Sequence, residues 1–73
     1  MRIPPRKTFG RNVNRLRMRR QLTQDDLAET AQIDRRYVQR IENGTANPGL
    51  DVICRVKKAL RASWDELLRG VLQ

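Results

Sequence analysis

The sequence predicts an all-α fold of five short helices in one small domain. Apolar residues recur at helical spacing and nowhere alternate as they do in strands. Residues that commonly cap helices stand where each periodic segment begins or ends. The chain has only 73 residues, a length that forms a single modest core. No internal repeat or low-complexity segment argues for another architecture.

A basic, proline-containing segment is expected to precede the helices. Residues 1–7 are predicted to form a flexible basic arm, and residues 8–73 the helical domain. The first helix is expected over about residues 8–20. Apolar residues recur there at i, i+4 and i+7: Phe9, Val13 and Leu16.

The second and third helices each begin at a recognisable cap. Thr23 is expected to cap the second helix, with Asp26 three residues later completing an approximate capping box. Asp34 is expected to cap the third helix, and Gly44 to end it in left-handed backbone. Flanking apolar pairs have hydrophobic-staple spacing: Leu22 with Leu27, and Ile33 with Val38. The expected inner faces are Leu27, Ala28 and Ala31, then Val38 and Ile41.

Two further helices follow. Pro48 is expected at the first helical position of the fourth helix. Ser63 and Glu66 have the spacing of a full capping box for the fifth helix, which is predicted to stop at Gly70. The inner residues of the fourth helix are expected among Leu50, Ile53, Val56 and Leu60, and the fifth helix carries Trp64, Leu67 and Leu68.

Composition excludes most catalytic and metal-binding chemistry. The sequence has no histidine and a single cysteine, Cys54, so it cannot supply an imidazole base or four zinc ligands of the usual kinds. We expect no enzymatic activity, no cofactor and no metal. Cys54 is expected to pack as a small apolar residue in a reducing cytoplasm, the alternative being a redox-sensing thiol. With no long apolar run and no signal peptide, a membrane location is not expected.

The charge points to a polyanionic partner. Sixteen Lys and Arg against eight Asp and Glu give a net charge of +8. Arg11, Arg15 and Arg19 share one face of the first helix, where like charges repel unless phosphates or water neutralise them. The basic residues of the arm are placed to reach along a nucleic-acid backbone or into a minor groove: Arg2, Arg6 and Lys7.

The outward face of the third helix has the chemistry of a major-groove reader. About three residues separate it from the second helix, which is typical of a helix-turn-helix. Four long polar side chains share this face: Arg35, Arg36, Gln39 and Arg40. Arginine offers two donors to guanine O6 and N7, and glutamine pairs with adenine N6 and N7. The alternative is a solvated helix face.

The segment from Gln24 to Gly44, QDDLAETAQIDRRYVQRIENG, resembles the helix-turn-helix of the Cro/XRE family of phage repressors and bacterial regulators. Flanking residues extend the resemblance to about residues 8–70: Leu16-Arg17, Leu22-Thr23, Ala59-Leu60 and Asp65-Glu66-Leu67-Leu68. It implies a phage-repressor-like, five-helix DNA-binding domain. Asp34-Arg35-Arg36-Tyr37 and the short length are also similar to controller proteins of restriction–modification systems.

The resemblance implies roles for the matching positions. Arg35 and Arg36 match base-reading positions, with Gln39 and Arg40 one turn further on. Gln24 matches a phosphate-binding position at a helix N-terminus. Other DNA-backbone contacts are expected from Tyr37, Asn43, Thr45, Asn47, Arg11 and Arg15. Structural alternatives are a packing role for Tyr37, turn formation by the loop residues and a solvated face for the two arginines.

Similar proteins also pair the positions of Arg17 and Glu42 as a structural salt bridge, which we expect here. Two positions depart from the family pattern. Gln32 stands in the turn where glycine is usual, and a positive φ there adds about 1 kcal/mol of strain or more. The loop between Gly44 and Gly49 has no basic residue, which weakens the case for a groove contact from it.

Family members bind pseudo-palindromic operators as homodimers, with half-sites about 34–36 Å apart. Apolar residues of the last two helices exceed what one small core needs, and we expect a dimer interface at Val52, Ile53, Val56, Trp64 and Leu68. The alternative is that they fill the monomer. Activators of the family contact RNA polymerase through an acidic second helix, and carboxylates at a helix N-terminus also stabilise its dipole. The candidates are Asp25, Asp26 and Glu29.

The sequence therefore predicts a cytoplasmic, nucleoid-associated regulator of a bacterium or phage, acting as repressor or activator on double-stranded DNA. The competing interpretation is a basic nucleoid or RNA-associated protein that binds by charge alone. Charge-driven binding would lose similar affinity from any arginine substitution. Specific reading would lose base preference only at the third helix, whereas Arg11 or Arg15 would change mainly the salt dependence.

Overall fold

The computed structural model describes residues 3–71, and that part of the chain is built from five helices with no strand. The helices are α1 (Pro5–Arg19), α2 (Gln24–Ala31), α3 (Arg35–Glu42), α4 (Leu50–Leu60) and α5 (Trp64–Leu68). Gln32, Ile33 and Asp34 form the three-residue connection between α2 and α3. The predicted all-α architecture with a helix-turn-helix is confirmed.

One hydrophobic core joins all five helices. Every predicted inner residue of α1, α2 and α3 is buried. In α4 and α5 the buried apolar residues are Val56, Leu60 and Leu67. Helix α1 packs against both α3 and α5, while α2 packs against α3 and α4. This arrangement leaves the opposite face of α3 outside the core.

The predicted caps are present. Thr23 Oγ1 accepts a hydrogen bond from the Asp26 backbone N–H, and the Asp26 carboxylate accepts one from the Thr23 backbone, each at 2.9 Å. Ser63 and Glu66 form the same reciprocal box at the start of α5. Asp34 accepts from the Arg36 backbone N–H at 2.8 Å and so fixes the start of α3. Such caps typically contribute about 1 kcal/mol each in helical proteins.

Helix α1 begins at Pro5, three residues before the predicted start. Proline suits a first helical position because its φ is already helical and its missing N–H has no partner there anyway. The carbonyl of Pro4 accepts from the Lys7 backbone N–H at 2.9 Å. Arg6 and Lys7 therefore belong to the first turn of α1 and not to an arm. Arg2 lies outside the described residues.

Helix α4 begins two residues later than predicted, at Leu50, with Gly49 as its N-cap and Pro48 before the cap. Leu50 was expected inside but is 71% exposed. At about 100° per residue, it points well away from the direction in which Val56 and Leu60 enter the core. Cys54, four residues on, shares the outward side and is exposed, contrary to the expected packing.

Left-handed backbone ends α2 at Gln32, with φ 58° and ψ 47°. The position thus has the positive φ that makes glycine usual there, and the chain bears the strain of a side chain. The same conformation recurs at Gln21 and Arg61, which follow α1 and α4.

None of the described helices is long and apolar enough to cross a membrane.

Helix α1 lies unusually close to the end of α3. A Cβ on Gly10 would overlap the carbonyl oxygen of Ile41 and lie 3.0 Å from that of Glu42. A Cβ on Gly44, whose φ is +77°, would lie 2.6 Å from the Lys7 Cγ. These two glycines let the start of α1 rest directly on the loop that leaves α3.

Candidate nucleic-acid interface

Helix α3 has one buried face and one cationic face. Val38 and Ile41 are buried. On the other side Arg35, Arg36 and Arg40 are exposed and Gln39 is half-buried. We call Arg35, Arg36, Gln39 and Arg40 the α3 stripe. A short helix bearing such donors on its exposed face has the dimensions and chemistry to enter the major groove.

Carboxylates lie beside the two arginines at the start of the stripe. Arg35 Nε is 3.4 Å from Asp25 Oδ1, and Arg36 Nε is 3.9 Å from Asp34 Oδ1. All four side chains are more than half exposed. Exposed ion pairs of this kind are weak, so neither carboxylate prevents its guanidinium from contacting a nucleic acid.

Tyr37 is half-buried and packs against the core, which is the structural alternative considered for it. The Arg40 Cζ atom lies 5.9 Å from the centre of its ring. A guanidinium over an aromatic face is a favourable cation–π contact. Tyr37 therefore orients the last arginine of the α3 stripe.

A buried carboxylate lies behind the α3 stripe. Glu42 Oε2 accepts from Arg17 Nε at 2.7 Å, and Oε1 accepts from Arg17 Nη2 at 3.1 Å. Asn14 Nδ2 and Gln24 Nε2 each donate to the same Oε1 at 3.0 Å. The Arg17–Glu42 salt bridge implied by the resemblance is present, with side chains 10% and 5% exposed. Side chains from α1 and α2 thus converge on the end of α3.

The surroundings of Glu42 hold its carboxyl in the charged form. Burial alone would raise its pKa, but the hydrogen bonds from Arg17, Asn14 and Gln24 and the Arg17 charge outweigh burial and lower the pKa below the ordinary value of 4.5. Asn14 was not among the predicted site residues. Its partner lies 28 residues away along the chain, and no local spacing signals that contact.

The lowered pKa predicts acid sensitivity. The unfolded chain binds the proton of Glu42 more tightly than the folded protein does, so this contribution is complete above about pH 4.5 and is lost as the pH falls toward the lowered pKa. We expect urea unfolding to show that Glu42→Gln is less stable than the wild-type protein at pH 6. Between pH 6 and pH 3, the free energy of unfolding of Glu42→Gln should fall by less than that of the wild-type protein. An equal acid loss in both proteins would contradict this role. Asp26 and Glu66, whose pKa values are also lowered, remain in both.

The loop after α3 presents exposed polar side chains, and a lysine of α1 lies against it. Asn43, Thr45 and Asn47 are exposed, as backbone contacts would require. Thr45 also has a structural role, since its backbone N–H and hydroxyl both donate to the Arg40 carbonyl, at 2.9 and 3.3 Å. The loop has no basic residue of its own, but the Lys7 stem rests on Gly44. Lys7, which is exposed, is thus a basic residue whose stem lies against this loop.

The basic face of α1 divides between two environments. Arg11 is exposed. Arg15 Nη2 donates to Asn12 Oδ1 at 3.0 Å, and Arg19 Nη1 lies 3.7 Å from Glu66 Oε2. Asn12 lies on the side of α1 that meets α5, and Glu66 belongs to α5 itself. Gly10, Asn14 and Arg17 lie on the side of α1 that meets α3. The structure therefore does not bring Arg15 to the α3 stripe.

Two polar residues that were not predicted hold the last two helices. Buried Asn12 donates from Nδ2 to the carbonyls of Leu67 and Arg69, at 2.8 and 2.9 Å. Arg20 Nε donates to the Leu60 carbonyl at 3.0 Å. Both satisfy carbonyls that have no partner at a helix C-terminus. Asn12 stands three residues after Phe9, at a core-facing register position, which is the signal available in the sequence.

The apolar residues assigned to a dimer interface are not equally available. Val56 is fully buried in the monomer and cannot serve, because it lies on the core side of α4. Val52 and Ile53 are half-buried against the core. Trp64 and Leu68 are 44% and 39% exposed, and Leu50, which the prediction left out, is also an exposed apolar residue.

Within residues 3–71, no group of three metal-ligating side chains is assembled.

The chain matches a family model described as helix-turn-helix over residues 13–67. Control protein C.BamHI of Bacillus amyloliquefaciens is 36% identical over 64 residues, which are 86% of this chain and 79% of that protein. The crystal structure of the restriction–modification controller protein C.AhdI from Aeromonas hydrophila has a TM-score of 0.81 and 34% identity, covering 85% of this chain and 94% of that one.

A third relative shares the fold at lower identity. The crystal structure of the clp gene regulator ClgR from C. glutamicum has a TM-score of 0.89 and 22% identity. The match covers 97% of this chain and 92% of that one. At this identity it supports the five-helix architecture alone.

Proposed function

The chain belongs to the Cro/XRE-type helix-turn-helix family of DNA-binding regulators, and from that premise we propose that it is a sequence-specific controller protein that binds a pseudo-palindromic operator as a homodimer. The observation that carries this proposal is the α3 stripe, whose three arginines are exposed while the opposite face of the same helix is buried. In this proposal α3 enters the major groove of the operator. The protein would act in the cytoplasm of a bacterium, bound to bacterial or phage DNA.

Each end of the α3 stripe has a proposed task. Arg35 and Arg36 read base edges at the start of α3, and Gln39 and Arg40 extend the contact by one turn. A bidentate pair of this kind contributes about 1–3 kcal/mol of discrimination between bases. The half-burial of Gln39 leaves it less reach than the arginines have.

Backbone contacts are proposed on both sides of the α3 stripe. Gln24 lies at the N-terminus of α2, where backbone N–H groups favour an anion. Its side-chain amide donates one hydrogen to Glu42 and keeps a second donor for a phosphate. Asn43, Thr45 and Asn47 contact phosphates from the loop, with Lys7 beside them and Arg11 on α1. Arg15 is left out because its guanidinium is bonded to Asn12 on the α5 side.

Dimerisation is proposed through the exposed apolar residues of α4 and α5. Leu50, Trp64 and Leu68 are large side chains left outside the core, and Val52 and Ile53 are half-buried against it on α4. One recognition helix covers only a few base pairs. A two-fold dimer doubles the site and places the half-sites about 34–36 Å apart.

An RNA polymerase contact at α2 has less support. Asp26 closes the capping box and Asp25 pairs with Arg35, which gives two of the three acidic residues structural tasks. Glu29 is exposed and, within residues 3–71, its carboxylate forms neither an ion pair nor a hydrogen bond. We propose that any activator contact at this surface depends on Glu29.

Selection of bound duplexes from a random DNA pool tests the proposed function. We expect a two-fold-symmetric consensus, because two copies of α3 would read the same bases in opposite directions. Binding by charge alone would instead enrich no sequence and would weaken equally on every duplex as salt increases. Recovery of no consensus would therefore contradict the proposed function and favour the charge-driven alternative.

A further inference from the structure

We propose that Asp25 is a specificity-determining residue, because its carboxylate lies beside Nε of the Arg35 guanidinium, restrains that group by charge and leaves the two terminal nitrogens to read a base. The inference rests on the proposed function and adds a residue to its base-reading apparatus. The contact joins α2 to α3 across the helix-turn-helix connection, with 3.4 Å between Asp25 Oδ1 and Arg35 Nε.

The geometry of this ion pair suits base reading. Arginine has five N–H donors, and guanine is read by the forked pair at its end. The recorded approach of Asp25 to Arg35 is at Nε, at 3.4 Å, and within residues 3–71 no hydrogen bond engages any nitrogen of the Arg35 guanidinium. Asp25 therefore attracts the side chain by its charge and leaves the terminal donors that guanine requires available.

Arg36 provides an internal comparison. Its carboxylate partner is Asp34, the N-cap of its own helix, at 3.9 Å, and its side chain is 85% exposed. The Asp34 Oδ1 atom already accepts the Arg36 backbone N–H. Arg36 is thus held less closely, and by no other helix. Loss of Asp25 should affect the base read by Arg35 and spare the base read by Arg36.

Restraint of the Arg35 side chain is important because an open cleft beside it offers alternative side-chain conformations. Arg35 and Asp25 both line an open cleft of about 630 Å³ between the end of α1 and the start of α2. A long side chain that is free to turn into this cleft loses entropy when it binds a base, and holding it beforehand reduces that loss. The carboxylate also repels phosphates on every duplex, which weakens non-specific binding.

The test compares Asp25→Asn with Glu29→Gln, which removes the same charge from α2 without touching an ion pair. For each variant, affinity is measured for the selected duplex and for a random duplex. We expect Asp25→Asn to lower the specific-to-random ratio about two- to fivefold and to relax preference at the base pair identified with Arg35→Ala. Glu29→Gln should leave that ratio unchanged.

The outcomes separate this inference from the proposed function. If the wild-type chain selects a consensus but Asp25→Asn behaves like Glu29→Gln, the assignment of Asp25 is overturned and the proposed function stands. If the wild-type chain selects no consensus, both fall. A double-mutant cycle with Arg35→Lys gives a second reading, since the proposal requires the two substitutions to be non-additive in the ratio.

Discussion

Alanine in place of Gly10 is expected to lower the free energy of unfolding by about 3 kcal/mol or more. The added Cβ would overlap the Ile41 carbonyl oxygen, and a backbone atom at a helix end cannot step aside as a flexible side chain can. Helix α1 would have to move off α3, and the contacts of Glu42 with Asn14 and Arg17 would be lost with it. Urea unfolding followed by circular dichroism measures the change.

Gly49→Ala is the matched control. Gly49 has no atom within 4 Å of the site of an added Cβ and has a negative φ. We expect its stability to change by less than about 1 kcal/mol, because a poorer N-cap is offset by a less flexible unfolded chain. Equal stability of the two variants would show that α1 and α3 are not as close as described.

Methionine in place of Arg17 is expected to cost about 3–5 kcal/mol, because it leaves the Glu42 charge buried beside two neutral amides. Replacing both partners, Arg17→Met with Glu42→Leu, should cost much less than the sum of the single changes, since no buried charge remains. Urea midpoints for the four proteins of this cycle give the coupling.

Arg11→Met controls for the loss of a charge from α1. Arg11 is exposed, and its replacement should change stability by no more than about 0.5 kcal/mol. If Arg17→Met is as mild as Arg11→Met, or if the cycle is additive, Glu42 does not hold the helix-turn-helix in the way proposed.

The predictable part of the fold is the part encoded locally. Thr23, Asp34 and Ser63 cap helices by bonding to backbone groups two or three residues away, so their spacing in the sequence is sufficient to identify them. A proline near a helix start does not by itself fix the first helical residue. Pro5 fits the first turn of α1, whereas Pro48 precedes the cap of α4, and both arrangements satisfy the same backbone restriction.

The candidate site divides in the same way. The α3 stripe follows from helical periodicity, because Val38 and Ile41 fix which face is buried. The bonds of Glu42 to Asn14 and Gln24 depend on how α1 and α2 cross α3, and no spacing along the chain encodes them. The pairing of Glu42 with Arg17 is implied by the family resemblance and is not encoded by local spacing. Exposed Cys54 and buried Val56 show that the rotation of α4 was the least predictable feature.

The most direct test of base reading compares Arg36→Ala with Arg55→Ala on selected and random duplexes. Each variant removes one exposed arginine, from α3 and from α4 respectively. We predict that Arg36→Ala weakens binding to the selected duplex by about tenfold or more beyond its effect on random DNA, while Arg55→Ala changes both affinities by the same small factor. If both variants lower both affinities equally, α3 does not read bases and the central claim is wrong.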